Sequence, residues 1–576
     1  MTAANWGYLA FYTAVVLLLA RPLGLYMAAV YEGRRTFIHP VIRPVEAGLY
    51  RLGGVREEVQ QNWKGYLTHF LAFNLLGFLL LYAILRLQAS LPMNPQDLPG
   101  VKPSLAFNTA VSFITNTNWQ SYGGETTLSY FSQMVGLTFQ NFVSAAAGAC
   151  VLVVIIRGFA RHSSSLLGNF WVDLVRSTLY VLLPLSIVVA VFLVSQGVIQ
   201  NFDSYKEVVN LEGPTQVIGM GPAAAQVAIK QLGTNGGGFF NVNAAHPLEN
   251  PTEWSNLVQM LSILIIPVGM VYMYGKMVGS ARHGWVLIGV MTSLMLLGAI
   301  VSGVAEQVGN TNLDSAAITR DAGGDQQGGN MEGKEVRFGI GTSTIWAATT
   351  TDASNGSVNS THDSYTAIGG LVPLANMMSS EVIFGGVGAG MYGAVLYILL
   401  TVFIAGLMVG RTPEYLGKKV EGREMKAVMF AVLSFSLVVL AWTAVAVVNS
   451  FGTATLNNGG PHGFSEALYA FTSAAANNGS AFAGLGANGT FYNLGLGFNM
   501  LVLRFIPIIA MFVIAGTMVE KKRVAPGPGT FPVDGPMFGL LFAGVVVIVG
   551  VLTFFPALAL GPIVEQLIAQ NGTPLF

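Results

Sequence analysis

Long apolar segments separated by short polar loops recur along the whole chain. A helix that crosses a bilayer needs about 20 mainly apolar residues. We predict membrane-spanning helices at 6–29, 66–86, 128–156, 175–198, 255–279, 285–305, 389–410, 426–449, 491–518 and 536–558. The pattern therefore predicts an all-α integral membrane protein with ten transmembrane helices.

Four shorter apolar stretches lie between pairs of these segments. They are Leu105–Thr115, Pro222–Gly233, Gly341–Thr351 and Phe464–Ala475. Each is too short to span a bilayer, and a stretch of about 10–14 residues is typical of a re-entrant half-helix. The order along the chain is thus helix, half-helix, helix, repeated four times.

A polar phrase that contains asparagine ends each half-helix. The phrases are Thr115-Asn116-Thr117, Thr234-Asn235-Gly236, Ser354-Asn355-Gly356 and Asn477-Asn478-Gly479. If their third positions are equivalent, the copies lie roughly 120 residues apart, which predicts four membrane–pore–membrane repeats arranged quasi-fourfold around one axis. In a pore of this kind, rings of backbone carbonyl oxygens replace the water shell of an ion.

The residue types in the phrases favour a monovalent cation. Glycine permits backbone conformations closed to other residues, and Gly236, Gly356 and Gly479 supply it, with Thr117 in the first copy. A half-helix that ends at the phrase points the negative end of its dipole toward the site. None of the four phrases contains an acidic side chain, so neutral oxygens would coordinate the ion. These residues alone do not distinguish K⁺ from Na⁺ as the bound ion.

The basic residues indicate the topology. Most of the 28 Lys and Arg lie in the loops around 30–64, 157–176, 276–282, 411–426 and 521–523, which are alternate loops in the ten-helix scheme. Cytoplasmic loops are enriched in Lys and Arg. The scheme therefore places the four phrases on the extracytoplasmic side.

Two other interpretations of the phrases are weaker. Asn-Gly is a common turn dipeptide, but four copies in matching contexts favour a shared structure. Asn355-Gly-Ser and Asn478-Gly-Ser also match the N-glycosylation pattern. A glycan would have no room at the end of a re-entrant helix.

A glycine-rich segment and one intramembrane charge stand out. Gly385, Gly386, Gly388 and Gly390 open the seventh span. They predict an interruption in the second helix of the third repeat, which could act as a gate below the filter or serve only close helix packing. Arg504 lies in the ninth span, where a charge costs about 2.5–3.5 kcal/mol on insertion scales and is functional by default. We expect it to face the bundle interior.

Composition excludes several classes of protein. The chain is 53% hydrophobic and 10% charged. Its 28 Lys+Arg balance its 28 Asp+Glu, so it has no net positive charge that would attract nucleic acid. It lacks a P-loop, an Asp-Lys-Thr-Gly phosphorylation motif and a catalytic constellation. We therefore expect neither a catalytic site nor bound nucleotide. The polar segment 305–339 is interpreted as an extracytoplasmic loop.

Longer motifs resemble one family. The residues are Thr115–Glu125, Gln231–Asn241, Ala245–Thr252, Gly410–Lys419 and Asn477–Gly484. They are similar to those of the potassium-binding A subunit of bacterial Kdp-type potassium-transporting P-type ATPases, within the superfamily of K⁺ transporters. The resemblance covers essentially the whole chain.

The resemblance implies a K⁺ filter and a set of partners. Carried over by position, the filter residues are Asn116, Thr117, Thr234, Asn235, Gly236, Asn355, Gly356, Ser357, Asn477, Asn478 and Gly479, with Gln120 beside the first phrase. The implied function is high-affinity uptake of extracytoplasmic K⁺ by a non-catalytic subunit. The partners would be a P-type ATPase B subunit, a C subunit and a small F peptide in the bacterial inner membrane, surrounded by lipid.

The predicted division has six parts. These are 1–63 (first helix and cytoplasmic loop), 64–160, 161–282, 283–424 and 425–523 (pore repeats 1 to 4), and 524–576 (last helix). The alternative function is a stand-alone K⁺ channel or ion-coupled transporter of the same architecture. A channel would pass K⁺ current alone, whereas a pump subunit would be silent alone.

Overall fold

Helices make up most of the computed structural model, which describes residues 2–310, 323, 328–380, 382–408, 410–525 and 530–571. In chain order the helices are α1 (Ala3–Tyr31), α2 (His39–Gly53), α3 (Trp63–Leu87), α4 (Pro103–Ile114), α5 (Gly124–Thr127), α6 (Phe139–Ala160), α7 (Phe170–Arg176), α8 (Leu183–Ser195), α9 (Ala223–Leu232), α10 (Glu253–Met277), α11 (Ala281–Val308), α12 (Gly339–Asp352), α13 (Ala367–Met378), α14 (Ala389–Met408), α15 (Gly422–Val448), α16 (Ser450–Thr453), α17 (Gly460–Ala476), α18 (Thr490–Glu520), α19 (Pro536–Leu558) and α20 (Val564–Gln570). Part of the polar loop expected at 305–339, namely 311–322 and 324–327, lies outside the described residues.

Ten spans are long and apolar enough to cross a membrane within the described ranges, which confirms the predicted number. Single α-helices form six of them, namely α1, α10, α11, α14, α15 and α18, and α3 with the 3₁₀ turn Gln88–Ser90 forms a seventh. The other three contain a π-helical turn: Ser132–Thr138 leads into α6, Ser177–Leu182 joins α7 to α8, and Ala559–Ile563 joins α19 to α20. The last span therefore runs to Gln570, beyond its predicted end at residue 558.

Short antiparallel strand pairs tie loops together. They are β1 (Gln61–Asn62) with β2 (Leu166–Gly168), β3 (Lys206–Val209) with β4 (Thr215–Ile218), and β5 (Glu414–Tyr415) with β6 (Lys418–Lys419). None of these strands contributes to the membrane-spanning bundle.

The four predicted half-helices are present as α4, α9, α12 and α17, each within a few residues of its expected bounds. Three of them have almost every residue buried because they lie inside the bundle and not on its lipid face. The fourth, α17, is buried from His462 onward apart from Phe464 and its final residue.

The second helix of the third repeat is broken, as the glycine-rich segment predicted. Its first half is α13, a short apolar helix that the sequence pattern did not identify separately, and its second half is α14. Between them, Ser380, Phe384, Gly385 and Gly388 all have positive φ angles (58°, 61°, 59° and 80°). Irregular backbone at membrane depth is tolerated where protein surrounds it.

Close packing holds the first helix against the second repeat. A methyl group at Gly24 of α1 would lie 2.6 Å from the carbonyl oxygen of Gly269 in α10. Farther along the same pair of helices, the hydroxyl of Tyr12 donates to the carbonyl of Met260 at 3.1 Å. Small residues let two helix backbones approach in this way in membranes.

Basic loops that the sequence assigned to one side meet at one end of the molecule. The guanidinium of Arg176 contacts the carboxylate of Glu46 at 3.1 Å. The ammonium of Lys418 donates to the carbonyl oxygens of Gly158 at 2.8 Å and Met518 at 2.6 Å. These contacts agree with the alternating arrangement of basic loops.

At the opposite end, His462 ties the last helix to the third and fourth repeats. Its ring nitrogens contact Asp363 at 3.1 Å and Glu565 at 2.9 Å. Burial disfavours the protonated ring, but the hydrogen bonds and charges of the two carboxylates outweigh it and raise the pKa of His462 to about 10.

This contact predicts a pH-dependent stability. Because the pKa of His462 rises from 6.5 to about 10 on folding, its contribution is complete below pH 6.5 and is lost as the pH rises through 10. We expect the melting temperature of the purified protein to fall by several degrees across this interval. In the His462→Gln variant the fall should be smaller; an equal fall would contradict this role for His462.

Candidate ion-binding site

The four phrases share one backbone conformation. One or two residues after the end of each half-helix, a residue has a positive φ: Asn116 (65°), Thr234 (49°), Ser354 (52°) and Asn477 (59°). Two residues later the φ is positive again, at Asn118 (53°), Gly236 (72°), Gly356 (83°) and Gly479 (99°). The same path is therefore followed four times.

This pattern corrects the alignment of the first phrase. The residue equivalent to Gly236, Gly356 and Gly479 is Asn118, not Thr117 as the spacing of the phrases suggested. Asparagine tolerates the left-handed region better than other residues with a Cβ atom. Thr117 is instead equivalent to Asn235, Asn355 and Asn478.

Hydrogen bonds to the last turn of each half-helix fix this path. The carbonyl of Ser112 accepts from the N–H groups of Thr117 (2.9 Å) and Asn118 (3.2 Å). The carbonyls of Lys230 and Thr350 accept in the same way from the second and third phrases. In the fourth, the Ser473 carbonyl accepts from one N–H at 2.9 Å and its hydroxyl from the next at 3.0 Å.

Asparagine side chains join neighbouring phrases into a ring. The amide of Asn118 donates to the carbonyl of Gly236 at 3.0 Å, which joins repeats 1 and 2. Three further amide bonds complete the circuit. They run from Asn355 to the Lys230 carbonyl (3.1 Å), from Asn478 to the Thr350 carbonyl (2.9 Å) and from Asn477 to the Thr117 hydroxyl (2.9 Å). The predicted convergence of the four phrases is thus present.

The glycines are required by close approach between phrases. A methyl group at Gly236 would overlap the carbonyl oxygen of Asn355. The same overlap occurs between Gly356 and Asn478, and between Gly479 and Thr117. Each glycine therefore faces the middle residue of the next phrase, and backbone oxygens line the contact.

Gln120 bridges the first two repeats beside the ring. Its side-chain oxygen accepts from the N–H of Gly238 at 2.8 Å, and its side-chain nitrogen donates to the carbonyl of the same residue at 2.9 Å. This pairing holds the chain that leaves the second phrase.

Replacing Gln120 tests its position. The Gln120→Arg variant loses the acceptor for Gly238 and adds a cation beside the ring. We expect the apparent K⁺ affinity to fall about tenfold, the effect of one lost hydrogen bond plus like-charge repulsion. Gln216→Arg, on the exposed strand β4, is the matched control. The measurement is transport as a function of external K⁺ concentration. Equal apparent K⁺ affinities in the two variants would contradict the position of Gln120 beside the ion site.

Ser357 is oriented differently from the ring residues. Its carbonyl accepts from the indole of Trp346 at 2.6 Å and from the hydroxyl of Thr350 at 2.7 Å. Its hydroxyl accepts from Gln231 at 3.1 Å. Its oxygens are thus engaged by protein groups, and its role as a filter residue stays a prediction.

The broken segment lies directly against two of the phrases. The N–H of Val387 donates to the hydroxyl of Thr234 at 2.8 Å, and the N–H of Gly385 donates to the carbonyl of Asp352 at 3.1 Å. A methyl group at Gly386 would lie 3.0 Å from the Thr234 hydroxyl. The segment therefore lies against one side of the ring.

Arg504 lines a cavity of about 70 Å³ beside the fourth phrase. The residue is only 7% exposed and shares the cavity with Asn477, Ser380 and Tyr397. It therefore lies inside the bundle, as expected for a charge at this depth.

One cluster could in principle hold a metal ion. Ligand atoms of Asp363, His462 and Glu466 lie within 4.8 Å of one another. Both ring nitrogens of His462 are already paired with carboxylates, and Glu466 accepts from the N–H groups of Asn457 and Asn458. This arrangement fits a protonated imidazole better than a metal.

Sequence reasoning missed Asn118 and the buried pair Lys230–Glu249, which lies behind the second phrase. Lys230 could have been noticed, because it is the one charged residue in the short apolar stretch Pro222–Gly233.

The fold and the ring together define a class: a multi-pass membrane protein with four half-helices that converge on one backbone-lined site, the architecture of an ion pore. Residues 10–567 match the sequence model of the potassium-transporting ATPase A subunit family. The chain belongs to this family.

Relatives share more than half of their residues with the chain. A potassium-transporting ATPase potassium-binding subunit from Methylorubrum extorquens is 56% identical over 99% of both chains. One of the same name from Granulibacter bethesdensis is 56% identical over 100% of both. The crystal structure of the potassium transporter TrkH from Vibrio parahaemolyticus has a similar fold, with a TM-score of 0.50 at 15% identity, over 87% of this chain and 97% of that one.

Proposed function

We propose that the chain is the K⁺-binding and K⁺-translocating subunit of an ATP-driven uptake complex. The observation that carries this proposal is the closed ring of four phrases with one repeated backbone conformation. Membership of the potassium-transporting ATPase A subunit family supports K⁺ as the ion.

In this proposal the ring is the selectivity filter. Its residues are Asn116, Thr117, Thr234, Asn235, Gly236, Asn355, Gly356, Ser357, Asn477, Asn478 and Gly479, and we add Asn118. Neutral backbone oxygens would replace the water shell of a bare K⁺. The four half-helices direct the negative ends of their dipoles toward the same place, which favours a cation.

The filter would face the extracytoplasmic side of the bacterial inner membrane. The clustering of basic loops at the other end supports this orientation, since such loops are retained in the cytoplasm. K⁺ would then enter through the ring and reach the cavity beside Arg504, provided that the segment between α13 and α14 moves aside.

The energy would come from other chains of the complex. We propose a P-type ATPase B subunit as the partner that hydrolyses ATP, together with a C subunit and a small F peptide. Relatives named as potassium-binding subunits of a potassium-transporting ATPase support assembly into such a complex.

Reconstitution distinguishes a pump subunit from a channel. Vesicles that contain the chain with its ATPase partner are expected to take up ⁸⁶Rb⁺ only with ATP, and K⁺ is expected to stimulate hydrolysis. Vesicles with the chain alone are expected to show no K⁺ current down a gradient. A K⁺-selective current from the chain alone would contradict the pump and favour the stand-alone channel.

A further inference from the structure

One residue in the last turn of each half-helix occupies an equivalent place. Ser112, Lys230, Thr350 and Ser473 are equivalent because the backbone carbonyl of each accepts from the N–H groups of its phrase. Three of these residues carry a hydroxyl group, whereas the second carries an ammonium group.

In three repeats the side chain at this place holds the first carbonyl beyond the phrase. The Ser112 hydroxyl donates to the Trp119 carbonyl at 3.0 Å, and the Thr350 hydroxyl to the Ser357 carbonyl at 2.7 Å. The Lys230 ammonium donates to the Gly237 carbonyl at 2.8 Å. The second repeat therefore replaces a neutral hydrogen bond by a charge-assisted one.

Glu249 balances the buried ammonium group. The side chains of Lys230 and Glu249 form an ion pair and are both 0% exposed. The other oxygen of Glu249 accepts from the N–H of Phe240 at 2.8 Å. A buried ammonium persists only when it is paired and hydrogen-bonded, so the pair and the chain around Gly237 form one unit.

The same short chain is held from the opposite side. Gln120 of the first repeat pairs with both backbone groups of Gly238, and Gln133 donates to the carbonyl of Phe239 at 3.0 Å. The segment that follows Gly236 is thus held by side chains of two repeats. Among these side chains, Lys230 makes the charged hydrogen bond to the residue next to the ring, Gly237.

We propose that Lys230 and Glu249 are positioning residues that set the ion selectivity of the ring by holding the Gly237 carbonyl away from the axis and Gly236 in place. This inference rests on the proposed filter. Loss of the ammonium would free the Gly237 carbonyl and let the second phrase adjust to ions of other sizes.

The test uses the assembled complex and measures stimulation of ATP hydrolysis by K⁺, Rb⁺ and Na⁺ over a range of concentrations. We expect Lys230→Met to lower the ratio of apparent K⁺ to Na⁺ affinity about tenfold, the effect of losing one charge-assisted hydrogen bond. Lys230→Thr combined with Glu249→Gln recreates the neutral arrangement of the third repeat and should recover most of the ratio.

A second buried pair provides the control. The side chains of Lys334 and Glu306 are also 0% exposed, but Lys334 packs on Tyr365, and its side chain makes no bond to the four phrases among the described residues. Lys334→Met should lower thermal stability and leave the ion ratio unchanged.

The outcomes separate the two proposals. If the wild-type complex shows no K⁺ stimulation, the proposed function fails. If the wild type is K⁺-selective and either Lys230→Met or, should that variant not assemble, Lys230→Met combined with Glu249→Gln keeps the wild-type ratios for Na⁺ and Rb⁺, the positioning role is overturned. An equal change of ratio in Lys334→Met would also overturn it, because the effect would then follow from any buried pair.

Discussion

Replacing Gly236 by aspartate is expected to abolish K⁺ selectivity and to lower the apparent K⁺ affinity about 100-fold, a loss of ~2.7 kcal/mol. Two physical effects add. The residue has a φ of 72°, where a side chain costs roughly 1–2 kcal/mol. Its Cβ atom would also overlap the carbonyl oxygen of Asn355, so the third phrase must move.

Gly479→Ser tests the same backbone strain and steric overlap between a different pair of phrases. Its φ is 99°, and its Cβ atom would overlap the Thr117 carbonyl oxygen. Gly289→Ser is the control, because nothing lies within 4 Å of the added atom. The measurement is ⁸⁶Rb⁺ uptake by the complex in competition with K⁺ and Na⁺. Unchanged discrimination in both ring variants would contradict the filter assignment.

Gly388→Ala is expected to displace the segment between α13 and α14 and to open a passive path for K⁺. Gly388 has a φ of 80°, and a methyl group there would overlap the carbonyl oxygen of Gly148. Because Val387 is bonded to Thr234 of the second phrase, displacement would uncover the ring from below. We expect passive ⁸⁶Rb⁺ flux without ATP to rise about tenfold or more, as expected when contacts worth about 1.4 kcal/mol are lost.

The control is Gly393, a glycine in the first two turns of α14. A methyl group at Gly393 would have its nearest neighbour, the Ser380 carbonyl oxygen, at 3.6 Å, an ordinary contact distance. Gly393→Ala should therefore keep the flux at the wild-type level. If Gly388→Ala lowers the yield of the complex without raising the passive flux, the segment serves helix packing and is not a gate.

The spans and half-helices could be predicted from sequence because their lengths are set by the bilayer. An apolar run such as 426–449 has few alternatives to a spanning helix, and α15 (Gly422–Val448) matches it. The short apolar stretches were identified because each was bounded by a polar phrase. Helix ends were less predictable, since the π-helical turn at Ala559–Ile563 lets the last span continue past Pro556.

The equivalence of the phrases was only partly predictable. Glycine marks the second left-handed residue in three repeats, but asparagine takes that place in the first, and Asn116-Thr117-Asn118 offers two asparagines for one position. Backbone φ angles decide between them, and sequence does not display those angles. The alignment predicted from the sequence was therefore wrong by one residue, because it made Thr117 and not Asn118 equivalent to the three glycines.

The tertiary contacts around the ring could not be predicted from the sequence. Glu249 follows α9 after a loop, and nothing in its neighbours indicates that it returns to Lys230 behind the second phrase. The pairing of Gln120 with Gly238 joins different repeats and was likewise visible only in the structure. The sequence identified Gln120 through a family resemblance, whereas its physical role follows from these two bonds.

The most direct test is the structure of the assembled complex with Rb⁺ or Tl⁺, located by anomalous scattering or by difference density. We expect a cation on the axis of the ring, surrounded by the backbone oxygens of Thr117, Asn235, Asn355 and Asn478. Replacing Gly236 by aspartate should remove that density. An empty ring, with the cation bound only elsewhere, for example beside Asp363 and Glu466, would contradict the account.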